Sequence, residues 1–438
     1  MFSPSRKPII SAAAVRSHAF DRTVSIEQEL ELHSASGTYS PCSPYSGYMN
    51  GIDQGFYVMS SNIALVSAFP SGGNPGMLSV ELAFASIENL LGEAFKVTRF
   101  CTEQSFELKA GTTVLRWEHL ENARRLSEYD KIIYWGDFLH WNGYGASHWL
   151  SRQKKRHPGE KKEKLLDQWY DCLLLEGHKD LRSKSILFGG TLYCLSAGDL
   201  VDSRYRTALA NLCTDAQMVR FRDQLSATLI SGLTKSDASH YGCDCAFLLD
   251  TTLFPNVPYP DDQIVPEGCL LYSFARSGAD EALATFAKQL GSRLRLPVTS
   301  FTWFSNNSDP NALLGKLKSV RRANVVITDI YHLAVSAIRE RKAVFCVGQG
   351  CSYAIGTLAD KKKELFFRQI LAERYYLFCE MILKGRDDIQ IRESLLDHCV
   401  KHLNEGEALG LIVDQHTEHV AKTKAQLVDG LKAAVLQK

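Results

Sequence analysis

A histidine at the start of a predicted helix is the first residue whose position suits chemistry. Residues 324–332 (NVVITDIYH) predict a buried strand that ends at Thr328 and Asp329, followed by a helix that begins near Tyr331. His332 then falls in the first helical turn, where the helix dipole disfavours the imidazolium ion. A neutral imidazole there suits hydrogen bonding or proton transfer. A core histidine bonded to a backbone carbonyl is the alternative that position alone leaves open.

An arginine at the end of another predicted strand is the second candidate. Residues 219–226 (VRFRDQLS) lead from a strand into a helix, and Asp223 is placed to cap that helix. An arginine beside a helix N-terminus suits a bidentate contact with a carboxylate or a phosphate. A salt bridge from Arg220 or Arg222 to a nearby acid is an equally good interpretation.

Two glycine-rich turns follow strands in the first half of the chain. They are residues 71–76 (SGGNPG), with Gly73 and Asn74, and residues 188–191 (FGGT), with Gly189 and Gly190. Glycine lets backbone amides approach an anion at a helix N-terminus. Neither turn is a dinucleotide-binding fingerprint or a P-loop, and a plain strand-to-helix turn explains each as well. Together they line one edge of a parallel sheet, which favours a ligand there.

The elements that must position these residues are short apolar strands separated by helical segments. Continuous apolar strands of this kind predict parallel sheets covered by helices on both faces. We therefore predict an α/β fold with two doubly wound, Rossmann-like domains and a ligand cleft at the carboxyl ends of both sheets. The predicted strands are residues 63–69, 95–100, 112–115, 131–135, 185–188 and 217–220, then 269–274, 298–304, 324–327 and 343–347.

The chain is too long for one hydrophobic core, since single cores stop growing near ~300 residues. Residues 1–52 are rich in Ser, Pro, Gly and Tyr and predict a loosely ordered leader. An N-terminal domain then covers 53–255, with an inserted excursion at 141–184. A proline-rich linker, 256–268, precedes a C-terminal domain of 269–438 that ends in long amphipathic helices.

Composition excludes several classes of protein. Lys plus Arg number 50 and Asp plus Glu 49, so the charge pattern of a nucleic-acid binder is missing. No stretch reaches the ~18 apolar residues of a membrane span, which predicts a cytoplasmic protein. The basic run 152–164 is typical of a solvated helix face, with an anion-binding or peripheral membrane-binding patch as the alternative. Cys243 and Cys245 form one C-x-C without a matching pair, so no metal is predicted.

Two segments together resemble the polysaccharide pyruvyl transferase family. In that family an arginine-aspartate-x-x-serine turn precedes an aspartate-x-alanine-phenylalanine-leucine-leucine pattern, and here these are residues 222–226 (RDQLS) and 244–249 (DCAFLL). The strand and turn of residues 325–332 are similar to the family's second half. Ile330 stands where the family has an arginine. The resemblance covers roughly residues 60–360.

The resemblance implies a glycosyltransferase B-like architecture and transfer of the enolpyruvyl unit of phosphoenolpyruvate to a sugar of a surface-glycan precursor, as a ketal. It implies that Arg222 holds the donor and that His332 is the acid or a phosphate contact. Arg276 would supply the charge that Ile330 lacks. No cofactor is implied beyond the donor. The substrate-binding set it implies is Gly73, Asn74, Gly189, Gly190, Ser226 and Arg276.

Two other functions stay open on the sequence. The first is a glycosyltransferase of the same architecture that uses a nucleotide-activated sugar. The second is a catalytically altered or non-enzymatic relative, which only Ile330 suggests. Stabilisation of the protein by nucleotides, and none by phosphoenolpyruvate, would favour the first of these.

Overall fold

The apolar segments of the first half form a seven-stranded sheet. The structure is a computed structural model, and it describes residues 60–68, 74–195, 198–236, 240–254, 265–304, 309–349 and 358–433. The strand order is β3-β4-β2-β1-β5-β6-β7. All neighbours are parallel except β3 and β4, an antiparallel hairpin at one edge. The strands are Ser61–Ser67 (β1), Phe95–Cys101 (β2), Phe106–Ala110 (β3), Thr113–His119 (β4), Lys131–Trp135 (β5), Ser185–Gly190 (β6) and Met218–Phe221 (β7).

The second half forms a five-stranded sheet in which every neighbouring pair is parallel. Its order is β12-β11-β10-β8-β9. Its strands are Leu270–Ser273 (β8), Val298–Ser300 (β9), Val325–Thr328 (β10), Ala343–Gly348 (β11) and Tyr376–Phe378 (β12).

Helices cover both sheets. The last and longest of them, α13, contacts α1 of the first half and α9 of the second, so it packs across both halves. The helices are Pro75–Leu91 (α1), Leu150–Arg156 (α2), Lys162–Leu174 (α3), Lys179–Arg182 (α4), Ser203–Asp215 (α5), Gln224–Thr234 (α6), Asp280–Leu294 (α7), Pro310–Arg322 (α8), Tyr331–Arg339 (α9), Leu358–Gln369 (α10), Cys379–Asp387 (α11), Ile389–Asn404 (α12) and Gly406–Ala433 (α13).

Strand β1 shows why the apolar runs are continuous. Ile63 and Leu65 pack into a core that extends into the second half, whereas Ala64 and Val66 pack into a separate core on the other face of the sheet. Successive side chains of a strand point to opposite faces, so a strand covered on both sides must be apolar at every position.

Each sheet has a point where the chain reverses its direction of travel across the strands. In the first sheet it lies between β1 and β5, and in the second between β8 and β10. Open α/β sheets bind ligands at the carboxyl ends of the strands beside such points. The predicted fold class, two doubly wound Rossmann-like halves with a cleft at their carboxyl ends as in the glycosyltransferase B-like arrangement, is confirmed.

Two strands were not predicted. Strand β3 alternates exposed and partly buried residues at the edge of its sheet, which is a weaker signal than a buried run. Strand β12 lies within 364–382, where the periodicity predicts one helix. That helix instead ends early, because Leu371 adopts a left-handed φ of 58° and Ala372 N bonds to Phe367 O.

The leader and most of the predicted linker lie outside the described residues. Within the described ranges, no helix is long and apolar enough to cross a membrane.

A buried carboxyl on α1 makes stability depend on pH. Glu81 is 3% exposed and accepts a hydrogen bond from Ser67 Oγ (3.1 Å). Burial raises its pKa to about 8, against the opposing effects of Ser67 and Arg99. Between pH 4.5 and about 8 the folded state therefore holds a proton that the unfolded chain releases, and stability falls as pH rises.

We expect Glu81→Gln and the wild type to have the same free energy of unfolding near pH 5. The variant should then become more stable than the wild type by about 1 kcal/mol for each pH unit up to pH 8. Urea unfolding at pH 5, 6.5 and 8 measures this, with the exposed Glu93→Gln as control. Parallel pH profiles for wild type and Glu81→Gln would show that Glu81 is ionised in the fold.

Candidate functional site

A cavity of about 490 Å³ lies at the switch points of both sheets. The first half contributes the N-terminus of α1, the turn after β5, the π-helical turn Tyr144–Trp149 and the segment after β6. The second half contributes the ends of β8 and β10, the segment after β9, and α10. The lining residues are Asn74, Met77, Asp137, Phe138, Trp141, Tyr144, His148, Arg152, Tyr193, Cys194, Arg276, Trp303, Phe304, Asp329, Ile330, Tyr331, His332, Lys362 and Lys363.

His332 lies in the first turn of α9, as predicted, and lines the cavity. Its ring packs directly on the backbone of Gly76 in α1, where a Cβ atom would collide with it. Burial and the nearby Lys362 ammonium hold the pKa of His332 well below its usual range, although Asp244 opposes this shift. The imidazole is therefore neutral, and its Nδ1 atom has no hydrogen-bond partner within the described part of the chain.

Lys362 is a site residue that the sequence did not reveal. Its Nζ atom lies 3.4 Å from His332 Nε2 and 3.7 Å from the centroid of the Tyr331 ring. Burial and Arg222 lower the pKa of Lys362 to about 7, although Asp244 and Asp137 attract the charge. The run Lys361–Lys363 on a helix that follows a buried strand was the available signal, since such a helix begins at the carboxyl edge of the sheet.

The neighbouring Lys363 has a structural task. Its Nζ atom donates to Asp329 O (3.0 Å) and Val347 O (2.8 Å) and forms an ion pair with Asp360 (2.8 Å). It thereby ties α10 to the ends of β10 and β11. The two adjacent lysines of α10 differ in role because Lys363 is neutralised by Asp360, whereas Lys362 has no ion-pair partner in the described part of the chain.

Asp329 holds the loop that follows β8. Its carboxylate accepts hydrogen bonds from the backbone N atoms of Ala275 (2.9 Å), Arg276 (2.8 Å) and Ser277 (2.7 Å). These amides fill three of the roughly four acceptor sites of the carboxylate. Asp329 therefore positions Arg276, whose guanidinium lies over the Phe304 ring at 4.4 Å and lines the cavity.

Arg222 lies next to the cavity and does not line it. Its side chain is 5% exposed, and its Nη1 atom forms an ion pair with Asp244 Oδ2 (3.2 Å). The same oxygen accepts a hydrogen bond from Tyr331 Oη (3.0 Å). Burial opposes both charges, but their attraction raises the pKa of Arg222 and lowers that of Asp244 to about 2.

Arg222 therefore forms the salt bridge to a nearby acid that was one of its two interpretations from the sequence. Arg222 and Asp244 support Tyr331 from behind, and a narrow crevice lined by Arg222, Tyr331 and Lys362 adjoins the main cavity. The Nη2 atom of Arg222 is buried without a partner among the described residues. Direct contact between Arg222 and a donor, which the resemblance implies, stays a prediction.

The remaining predicted residues divide into two groups. Asn74 lines the cavity and caps α1 by accepting a bond from Met77 N (3.0 Å). Ser226, Gly189 and Gly190 are outside the lining, and Gly73 lies outside the described residues.

Ser226 and the two glycines serve packing. The Ser226 hydroxyl donates to Asp223, the predicted cap of α6, and accepts from Leu192 N (2.7 Å). Gly189 has a left-handed φ of 71°, and a Cβ atom there would collide with the Cys245 sulfur. These contacts fix the turn after β6 against its neighbours. They explain Gly189 without a ligand.

Two cations of the cavity lining have no ion-pair partner among the described residues. Arg152 is paired with Glu103 (3.0 Å) and Lys363 with Asp360, so both are neutralised. Lys362 and Arg276 have no carboxylate within ion-pair distance among the residues that the structure describes. Two cations without an ion-pair partner in a partly buried cavity are suited to an anionic ligand.

No metal site accompanies these cations in the described ranges, where no three His, Cys, Asp or Glu side chains come together. Cys243 and Cys245 are buried free thiols, and Cys245 packs under Gly189. The lining residues described so far are suited to anion binding by Lys362 and Arg276, hydrogen bonding by neutral His332, and stacking on aromatic side chains.

No protein-family model and no curated protein matches the sequence. Solved structures with a similar arrangement include UDP-N-acetylglucosamine 2-epimerase from Neisseria meningitidis bound to UDP-N-acetylglucosamine (TM-score 0.46, 8% identity, 85% of this chain and 100% of that one). A putative UDP-N-acetylglucosamine 2-epimerase from Listeria monocytogenes (0.46, 8%, 86% and 98%) and spinosyn rhamnosyltransferase (0.42, 12%, 84% and 99%) are others. Identities this low give no residue-by-residue correspondence for the cleft.

Proposed function

We propose that the chain is a transferase that moves a sugar from a nucleotide-activated donor to an acceptor hydroxyl in this cavity. The observation that carries the proposal is a pair of cations without ion-pair partners in the described part of the chain, Lys362 and Arg276, beside aromatic side chains at the switch points of both sheets. A nucleotide sugar combines an anionic diphosphate with a planar base and a sugar. Each of these parts has a matching surface in the cavity.

The cations match the diphosphate. Lys362 and Arg276 come from the second half of the chain, as does His332, whose Nδ1 atom has no partner among the described residues and can donate or accept one further hydrogen bond. When the sugar is transferred, negative charge grows on the diphosphate oxygen that leaves. Cations fixed in a partly buried site stabilise that charge more than water does.

The aromatic wall matches the base and the sugars. Phe138, Trp141, Tyr144 and Tyr193 line the cavity from the first half, with Phe304 opposite. Aromatic faces bind planar rings and the apolar faces of sugars. A volume of about 490 Å³ lies within the ~300 to 1,000 Å³ of small-molecule sites. Phosphoenolpyruvate has no ring and would leave most of this wall uncovered.

Pyruvyl transfer from phosphoenolpyruvate to a glycan precursor is the second candidate, and Lys362 is the observation that favours it. A cation whose pKa is about 7 is a suitable acid for protonating an enol carbon at neutral pH. Arg276 and Lys362 would then hold the carboxylate and the phosphate. In this version Lys362 takes the acid role assigned to His332 from the sequence, because neutral His332 has too low a pKa to act as the acid.

A thermal-shift screen separates the two donors. We expect UDP, GDP, TDP or one of their sugar conjugates to stabilise the protein by ~2.7 kcal/mol at about 100 times its Kd, which raises Tm by a few degrees. Phosphoenolpyruvate should give no shift. At the same ligand concentration the Lys362→Met variant should show a clearly smaller shift, and Lys361→Met should keep the wild-type shift.

Two other results of this screen would contradict the proposal. A shift with phosphoenolpyruvate and none with nucleotides would replace the first proposal by pyruvyl transfer. No shift with either class of ligand would contradict a transferase that uses this cavity.

A further inference from the structure

Asp137 enters the cavity from the first sheet, opposite the cations. It lies two residues after β5, at the switch point next to β1. Gly136 and Asp137 both adopt left-handed backbone conformations, with φ values of 68° and 54°. Gly136 N donates to Phe188 O (2.7 Å), and Asp137 O accepts from Thr191 N (3.0 Å). These bonds to β6 and the turn after it hold Asp137 in a conformation that side chains rarely adopt.

Local structure does not account for the Asp137 carboxylate. Aspartate usually tolerates a left-handed backbone because its side chain bonds to nearby amides. Within the described residues, the Asp137 carboxylate makes no such bond and no ion pair. It is half-buried and lines the cavity. A strained backbone that presents an unoccupied carboxylate to a cleft is typical of a functional residue.

The other acid of the lining is excluded by its bonds. Asp329 is occupied by three backbone amides. Asp137 also interacts with the cations opposite. The pKa of Lys362 is lowered first by burial and by Arg222, while the carboxylates of Asp244 and Asp137 act in the opposite direction. Among described cavity-lining residues, Asp137 is thus the carboxylate available for chemistry.

We infer that Asp137 is the general base of the proposed transfer and that it accepts the proton of a neutral sugar hydroxyl held against Phe138 and Trp141. This inference rests on the proposed function. The acceptor side of the cavity is then the first half of the chain, and the donor side is the second half with Lys362, His332 and Arg276.

The step is a single displacement. An Asp137 oxygen takes the proton of the acceptor O–H group, and the acceptor oxygen forms a bond to the anomeric carbon of the donor sugar. The bond between that carbon and the diphosphate oxygen breaks, and its electron pair leaves with the diphosphate, next to Lys362 and Arg276. Attack from the side opposite the leaving group inverts the anomeric configuration.

The test uses the full chain and Asp137→Asn, because asparagine has the same shape and also tolerates a left-handed φ. The assay measures release of nucleoside diphosphate from the nucleotide sugar that stabilises the wild type, with octyl glycosides as acceptors. We expect kcat to fall about 100- to 10,000-fold while the Kd for the nucleoside diphosphate stays within about threefold.

Asp137→Gly is the second variant, since glycine removes the carboxylate and relieves the left-handed backbone. It should raise Tm by about 1 to 3 °C and be as inactive as Asp137→Asn, and sodium formate should restore part of its activity. Wild-type kcat in Asp137→Asn would overturn the base assignment alone. Loss of nucleotide binding in both variants would also overturn it, since Asp137 would then be a binding residue. Absence of transfer by the wild type would overturn the proposed function and this assignment with it.

Discussion

Replacement of Lys362 by methionine is expected to weaken binding of the nucleotide donor by about 10- to 100-fold, or ~1.5 to 3 kcal/mol, and at the same time to stabilise the free protein. The ammonium has His332 and the Tyr331 ring as close neighbours and no carboxylate at ion-pair distance in the described part of the chain. A buried cation without a partner opposes folding and favours an anionic ligand.

The pKa of Lys362 predicts how stability and donor affinity change with pH. Because the pKa of Lys362 falls from 10.5 to about 7 on folding, the unfolded chain holds an extra proton between these pH values. The free energy of unfolding therefore rises with pH through that window. The diphosphate of the donor keeps its charge there, so donor affinity should fall as pH rises above 7 and Lys362 loses its proton.

Calorimetric titration with the nucleotide sugar that stabilises the wild type, and urea unfolding, each from pH 6 to 9, measure both effects. At pH 6 the free energy of unfolding of Lys362→Met should exceed that of the wild type by about 1 to 2 kcal/mol, so the variant should unfold at a higher urea concentration. Lys361→Met on the same helix, outside the cavity lining, is the control and should change neither. Unchanged affinity in Lys362→Met would remove the main support for the proposed donor.

Replacement of Asp244 by asparagine is expected to destabilise the protein by about 3 to 5 kcal/mol. The change keeps the shape of the side chain but leaves the Arg222 guanidinium, which is 5% exposed, without its counter-charge. Since the pKa of Asp244 is lowered to about 2 against the effect of burial, the wild-type pair contributes its stability above pH 4. That contribution is lost as pH falls towards 2.

The double variant Arg222→Met with Asp244→Asn also removes the buried guanidinium charge. Its free energy of unfolding should be within about 1 to 2 kcal/mol of the wild-type value. Urea unfolding at pH 7 measures the cycle. The exposed pair Arg116 and Glu107 (2.8 Å) is the matched control, because Glu107→Gln should cost under ~0.5 kcal/mol.

The same variants decide the role of Arg222. If Arg222 supports Tyr331 from behind the cavity, the double variant should bind donor within about tenfold of the wild type. If Arg222→Met is well folded and loses donor binding completely, the guanidinium contacts the donor, as the resemblance to pyruvyl transferases implies.

Local sequence determined the parts of the site that depend on nearby residues. The apolar runs around β1 and β10 placed two sets of parallel strands, and the boundary at Tyr331 placed His332 in the first turn of a helix. Asp223 could be assigned as a cap for the same reason. Periodicity and capping act over a few residues, so they can be read directly from the sequence.

The partners of those residues were decided only by the tertiary structure. Arg222 pairs with Asp244, 22 residues away, and His332 meets Lys362, 30 residues away, because packing brings these segments together. Asp137 follows an ordinary buried strand, and only the sheet order shows that it lies at a switch point facing Lys362. His332 and its neutral form could thus be proposed from the sequence, whereas the neighbouring Lys362 and the Asp137 carboxylate in the same cavity are properties of the fold.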